Sequence, residues 1–317
     1  MTKKVVVISG GNGSFISINA LKPFAEKISL SAVIPMSDSG GSSGRLREEF
    51  GVLPAGDILR AVLAMSSYDS EMLKTVFYGT RFSVEGKLEG HNLGNLFLIL
   101  AEQYSGSFIQ SLHALHESLN TVGEVYPASL QKTDLVAELE DGQKLVGEHN
   151  IDRPKLGQAI RIKKVRLNPE VQVFQEAKQV LLSADIILLG PGSLYCSVIA
   201  GLLPSGVQEA INKNGNAKLV YISGSAYEKQ GEVGPRTVSE AIEELEFYLP
   251  RRLDIIIHNN HILSKDEQDF YWQKGWGILE FDSSAASDKR IISTDYEKES
   301  GGLSYKKLHI ILESLIS

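Results

Sequence analysis

Five short runs of Val, Ile and Leu without polar alternation constrain this chain more than any other feature. They fall at residues 4–8, 30–35, 185–189, 218–222 and 254–258. A strand with one wet face alternates apolar and polar residues. A strand that does not alternate is buried on both faces, as in a parallel sheet covered by helices. Helical spacing of apolar residues fills the gaps at 16–26, 57–66, 93–103, 108–119, 235–249 and 305–316. The second of these opens with Asp57 in N-cap position after Gly56. Strands alternating with helices predict an α/β, doubly wound, Rossmann-like fold with a mostly parallel sheet. Residues 1–317 are read as one domain. Within it, 134–148 alternates around Asp141-Gly142, a hairpin signal, and 160–167 alternates apolar with basic residues. Residues 120–170 are therefore expected to form a small antiparallel insertion.

Lys and Arg number 32 against 39 Asp and Glu, a formal charge of −7. That balance argues against a nucleic-acid partner and leaves room for a local basic pocket. Cys196 is the single cysteine, which excludes an intramolecular disulfide and a zinc site built on cysteines, and fits a reducing cytosol. The apolar run at 5–8 is too short for a signal peptide or a membrane span. The expectation is a soluble, cytoplasmic protein.

Glycine clusters follow three of the apolar runs. The first is Gly10-Gly11-Asn12-Gly13-Ser14. The second is Ser37-Asp38-Ser39-Gly40-Gly41-Ser42-Ser43-Gly44-Arg45. The third is Gly190-Pro191-Gly192-Ser193. Read as loops beyond the carboxyl ends of parallel strands, they offer backbone amides to an anion. A helix that follows adds its positive end. Recurrence of one composition in one topological position points to a phosphate-containing ligand. Ile16 stands where a dinucleotide fingerprint has its third glycine, and no Gly-Lys-Ser/Thr follows any cluster, which counts against a dehydrogenase or a P-loop enzyme. Arg45 and Arg47 end the second cluster with cations suited to phosphate oxygens. Asp38 has three readings: a ribose-binding acid, a metal ligand, or a turn cap. His91, Asn92 and Asn95 are polar at a helix start, where Asn92 is either a cap or a ligand contact. Gly192, Ser193, Tyr195 and Ser197 are candidates for a diphosphate or sugar, with core packing the other reading of Tyr195. The pairs His113/His116 and His258/His261, Cys196, the aromatic segment 269–274 and the basic strand 161–166 are read as structural.

Four stretches in order carry a family resemblance: VVVISGGNGS from Val5, MSDSGGSSGRLREEFGVLPAGDILRAVLAMS from Met36, GHNLGNLFL from Gly90 and ADIILLGPGSLYCSVIAGLLPSGVQEAI from Ala184. Together they resemble the CofD/YvcK superfamily. One branch of that superfamily comprises magnesium-dependent phospholactate transferases acting on a deazaflavin. The other comprises gluconeogenesis factors, which bind UDP-sugars and support cell shape. GGSSGRLR followed by PAGDI resembles the second branch. Ser39 stands where the family has a second acid after Asp38. Arg60 follows Leu59, where the family places its arginine one residue earlier, and Gln230-Gly231-Glu232 is a reduced form of a longer family segment. The resemblance implies a nucleotide-sugar ligand of the UDP-N-acetylglucosamine type, with magnesium at Asp38 accompanying it. It implies that Gly10, Gly11, Asn12, Gly13, Ser14, Ser39, Gly40, Gly41, Gly190, Gly192 and Ser193 hold the diphosphate, with Arg45 offsetting its charge. Asp38 would meet the ribose or the metal, Asp57 would join the ligand-binding residues, His91, Asn92 and Asn95 would meet the base or sugar, and Tyr195 the diphosphate or sugar. On the transferase alternative, Asp38 would be the catalytic residue. Self-association into a homo-oligomer is an open expectation.

Overall fold

The computed structural model describes residues 2–83, 85–154, 160–229 and 231–316. In chain order its strands are β1 (Lys3–Ile8), β2 (Ile28–Ile34), β3 (Glu124–Pro127), β4 (Asp134–Leu139), β5 (Lys144–Val146), β6 (Ile162–Asn168), β7 (Ile186–Leu189), β8 (Lys218–Ile222), β9 (Ala226–Glu228), β10 (Ile255–Asn259), β11 (Trp276–Ile278) and β12 (Ile291–Thr294). Seven of them form one sheet in the order β12-β10-β8-β7-β1-β2-β3. Every pairing in it is parallel. The five apolar runs account for β1, β2, β7, β8 and β10, which form the sheet's unbroken interior.

Residues of β1 divide between two cores. Val5 and Val7 pack in one, with Leu30, Leu188 and Val220, and Val6 and Ile8 in the other, with Val33, Leu189 and Tyr221. The first core is closed by helices α1 (Gly11–Leu21) and α3 (Gly56–Met65) and by helices Phe108–Ser118 and Tyr305–Ile316. Helix α2 (Gly41–Phe50) sits outside it on a small cluster of Leu46, Val52 and Ile99. The second core is closed by helices Gln175–Ser183, Val207–Lys213 and Val238–Phe247. Helices on both faces of a parallel sheet make the fold doubly wound and Rossmann-like. Among the described residues, no helix is long and apolar enough to cross a membrane.

Several boundaries differ from the sequence reading. Antiparallel structure begins at Asp134 rather than near residue 120, because Glu124–Pro127 pairs parallel with β2 as the sheet edge. Beyond it, β4 pairs antiparallel with both β5 and β6, and Asp141-Gly142 turns the β4–β5 hairpin. Asp57 is not an N-cap; Ala55 holds that place and Asp57 lies buried in the first turn of α3. The second glycine cluster is a loop only as far as Gly40, since α2 begins at Gly41.

The chain runs outward from β1 through β2 to β3, then returns to place β7 on the other side of β1. This reversal opens a crevice at the carboxyl ends of β1 and β7. A direct clamp closes its floor. Ser9 Oγ donates to the Pro191 carbonyl at 2.7 Å and Ser17 Oγ to the Gly190 carbonyl at 2.6 Å. Gly13 lies so close to the Pro191 carbonyl that a side chain there would collide with backbone. Gly13→Ala is expected to cost about 1–3 kcal/mol in a urea unfolding curve, the usual range for forcing atoms into a packed site. Gly215→Ala, where a methyl group meets nothing within 4 Å, should stay within about 0.5 kcal/mol of wild type.

Candidate functional site

Two cavities meet at the crevice between β1 and β7. The first, about 280 Å³, is walled by Tyr195, Tyr221, Tyr227, Tyr271 and Trp276, with Gly13, Gly192 and Ser193 at its floor. The second, about 500 Å³, is polar and holds Asp38, Asp57, Arg60, Glu148 and Asp152. Asn12 and Ser193 line both.

The aromatic wall is built by the antiparallel pair β9–β11 and by helix Lys265–Gln273. Tyr271 donates its hydroxyl to Glu297 at 2.7 Å. Glu297 is fully buried and also accepts from Asn259 Nδ2 at 2.7 Å and Ser225 Oγ at 3.2 Å. A carboxylate bonded this way orients Tyr271 against Trp276, whose ring lies edge-on at 5.5 Å. Rings held like this present faces on which a heterocyclic base can stack. The aromatic segment 269–274 thus divides: Tyr271 lines the cavity, while Trp272 is exposed under the Lys229 ammonium, 3.7 Å from its ring centroid.

The polar cavity is built from the starts of α1, α2 and α3. The first intrahelical bonds run from Ser14 N to the Gly10 carbonyl and from Gly44 N to the Gly40 carbonyl. That leaves the amides of residues 11–13 and 41–43 without an intrahelical acceptor, and the positive ends of two helices facing the cavity. Gly11, Asn12, Gly40 and Gly41 line it. Gly10 does not; it lets α3 approach, since a methyl group there would sit 2.6 Å from Asp57 Oδ2. Ser14 is turned inward and donates to the Gly11 carbonyl, and Ser39 Oγ accepts from His149 N at 3.2 Å. Asp38 Oδ1 accepts from Gly40 N at 2.8 Å and faces Asp57, which supplies the second carboxylate that the residue after Asp38 does not.

Two sequence expectations are corrected here. Arg45 does not reach the cavity. Its Nη2 donates instead to the Glu89 carbonyl at 2.6 Å, in the segment just before His91. Arg60 is the cation inside, with its guanidinium over the Tyr78 ring at 4.3 Å from the centroid and Arg81 nearby. The third glycine turn is not a vacant anion nest. The Glu232 carboxylate already accepts from Ser193 Oγ and, at 2.8 Å each, from the amides of Tyr195 and Cys196. Gln230 lies outside the described residues.

Asn92 caps helix Leu93–Ser105 through its Oδ1, which accepts from Asn95 N at 2.9 Å, and it also lines the polar cavity, so its two readings coexist. Its Nδ2 and Asn95 Oδ1 have no partner, although the side chains are at most 1% exposed. His91 stands behind them, bonded through Nδ1 to Ser42 Oγ at 2.9 Å. Tyr195 is fully buried in the second core, yet its ring edges the aromatic cavity. Gly190 packs below the crevice and Gly192 lines it. Ser197 lines the polar cavity. The histidine pairs are structural. His116 bonds Thr121 Oγ1 at 2.7 Å and burial pushes it down to about 4; His261 pairs with Glu267 at 3.1 Å.

Burial, then the Asp57 charge, pushes Asp38 up to about 6. Burial and the Asp152 charge push Glu232 up to about 7. Burial also raises Glu148, with Asp38 and Asp57 adding their repulsion. A carboxyl that binds its proton more tightly when folded favours the folded state at low pH, and that contribution is lost as pH rises through the folded value. Asp38 thus weakens the ligand-free fold between about pH 4 and 6 and above. Asp38→Asn is expected to melt higher than wild type at pH 8, with the gap closing at pH 4, in a ligand-free thermal scan across pH.

A family profile described as 2-phospho-L-lactate transferase CofD matches residues 5–296. The gluconeogenesis factor of Halalkalibacterium halodurans is 36% identical over 263 residues, 82% of this chain and 79% of that one. The gluconeogenesis factor of Bacillus subtilis is 34% identical over 281 residues, 88% of this chain and 86% of that one. A crystal structure of a Bacillus halodurans protein of the UPF0052 family superimposes with a TM-score of 0.89 at 31% identity, over 99% of each chain. With these matches spanning most of its length, the chain belongs to the CofD/UPF0052 family, among relatives named gluconeogenesis factor.

Proposed function

We propose that the protein is a cytoplasmic nucleotide-sugar-binding regulator of the gluconeogenesis-factor type, with UDP-N-acetylglucosamine as ligand and supply of cell-wall precursor, and so cell shape, as the process it serves. One observation carries this reading: an aromatic cavity and a polar cavity share Asn12 and Ser193 beside the positive ends of α1 and α2. The uracil stacks among Tyr227, Tyr271 and Trp276. The diphosphate crosses at Asn12 and Ser193 and takes the amides of residues 11–13. The sugar enters the polar cavity, where Asn92 Nδ2 and Asn95 Oδ1 meet its hydroxyl and amide groups. Hard oxygen donors at Asp38 and Asp57 fit a magnesium ion accompanying the diphosphate.

Calorimetry with UDP-N-acetylglucosamine and magnesium tests the ligand. Binding is expected, and at 100 times the dissociation constant the ligand should add about 2.7 kcal/mol of stability. Arg60→Ala should weaken it by about tenfold or more, the loss of one charged hydrogen bond of about 1.5–3 kcal/mol. No heat with any uridine diphosphate sugar sinks the assignment. The facing pair Asp38 and Asp57 also suits the second reading, a magnesium-dependent phospholactyl transferase. Turnover of a nucleotide-linked phospholactate with a deazaflavin acceptor would establish it in place of the first.

A further inference from the structure

Asp152, Cys196 and Glu232 come from three distant segments and converge where the two cavities join. Their ligand atoms, two carboxylate oxygens and the thiol sulfur, all lie within 4.8 Å of one another. No other group of three or more His, Cys, Asp or Glu meets that condition among the described residues. Each member is held in place separately. Asp152 ends the short helix Glu148–Asp152, whose Ile151 carbonyl accepts from Glu232 N at 2.8 Å. Glu232 is fixed through one oxygen by the amides of Tyr195 and Cys196, leaving the other oxygen for a further contact. Cys196 directs its thiol at the Asp152 carboxylate.

We propose that Asp152, Cys196 and Glu232 bind a divalent transition-metal ion at the junction of the two cavities. A tetrahedral ion with about 2.3 Å to sulfur and about 2.0–2.2 Å to oxygen sets its ligand atoms roughly 3.5 Å apart. Closing from the observed spacing asks only for side-chain movement of about 1 Å. One thiolate among carboxylates selects zinc-like ions over magnesium. Binding exchanges the thiol proton for the ion. A single cysteine excludes a cysteine cluster, but here the carboxylates complete the set.

The cavity itself calls for a ligand independently of this cluster. Asn92 and Asn95 line it, and on each a buried amide atom, Asn92 Nδ2 and Asn95 Oδ1, has no partner. Its walls also gather Asp38, Asp57, Glu148 and Asp152 against Arg60 and Arg81. Three protein ligands would leave a fourth position for a water or a ligand atom. That the open position meets a diphosphate rests on the nucleotide-sugar reading; the ion site does not.

Cobalt(II) titration of the reduced, chelator-stripped full chain, without nucleotide, tests the site. Cys196 is the only cysteine, so any thiolate-to-cobalt charge-transfer band in the near ultraviolet reports on it alone. Such a band is expected to saturate and to bleach on adding zinc. Cys196→Ser should abolish it. Asp152→Asn and Glu232→Gln should each weaken cobalt binding by about tenfold or more, and Asp38→Asn should keep the band. Absence of the band in the wild-type chain overturns the proposal, as does unchanged affinity in both carboxylate variants. A band without any uridine diphosphate sugar binding would leave the ion site standing and remove only the ligand assignment.

Discussion

The contact of α1 with the Gly190–Ser193 turn is the constraint on which the rest depends. Two strands that are neighbours in space but far apart in the chain, β1 and β7, end there side by side. Their loops carry backbone carbonyls into a buried place, and Ser9, just after β1, and Ser17, on α1, satisfy two of them. A glycine at position 13 lets the helix come close enough to do so. Because the two loops are locked together, Asn12 and Ser193 come side by side and border both cavities. Were α1 displaced by a side chain at this contact, the aromatic and polar chambers would separate.

Charge is the second organising term. Parallel packing aims the starts of α1 and α2 at the polar cavity, and their unpaired amides favour negative charge there. The third helical turn, Leu194–Ile199, has its start covered by Glu232, so its amides serve the fold. Carboxyls from four segments crowd the remaining space, and their burial and mutual repulsion hold Asp38, Glu148 and Glu232 above their ordinary values. A chain selected for stability alone would not gather them. Functional sites retain such groups at the expense of the empty state.

Much of this fold is legible in the sequence because burial on both faces removes polar alternation. Each of the five apolar runs became a strand, with ends shifted by at most two residues. The start of α2 was less legible. Gly, Gly, Ser, Ser and Gly are poor helix formers, so composition reads as loop. Packing overrides that preference: Gly44 lies against the Ser39 carbonyl, where no side chain fits, and Gly51 in left-handed conformation ends the helix. Arg45 is a second place where sequence adjacency misleads. Adjacency to the glycines in sequence points to a phosphate contact, but the Glu89 carbonyl takes the Arg45 guanidinium, and α3 brings Arg60 in from another segment. Glu148, Asp152 and Glu232 had no signal beyond the remnant Gly231-Glu232, since their meeting is made by tertiary packing alone.

The two chambers also order what they can hold. Aromatic faces near the ends of β8 and β9 suit an uncharged ring, and they offer no buried cation to a phosphate. The polar chamber offers Arg60, amides and orphaned Asn92 and Asn95, but its acids oppose any anion that arrives without a counter-charge. On the nucleotide-sugar reading this fixes direction: base toward β8, sugar toward α2, phosphates at the shared rim. It also makes cation and ligand mutually dependent. Each lowers the electrostatic cost of the other, and by linkage whatever tightens one tightens the other by the same factor. On that reading the protein would respond to the nucleotide sugar and to its counter-ion together.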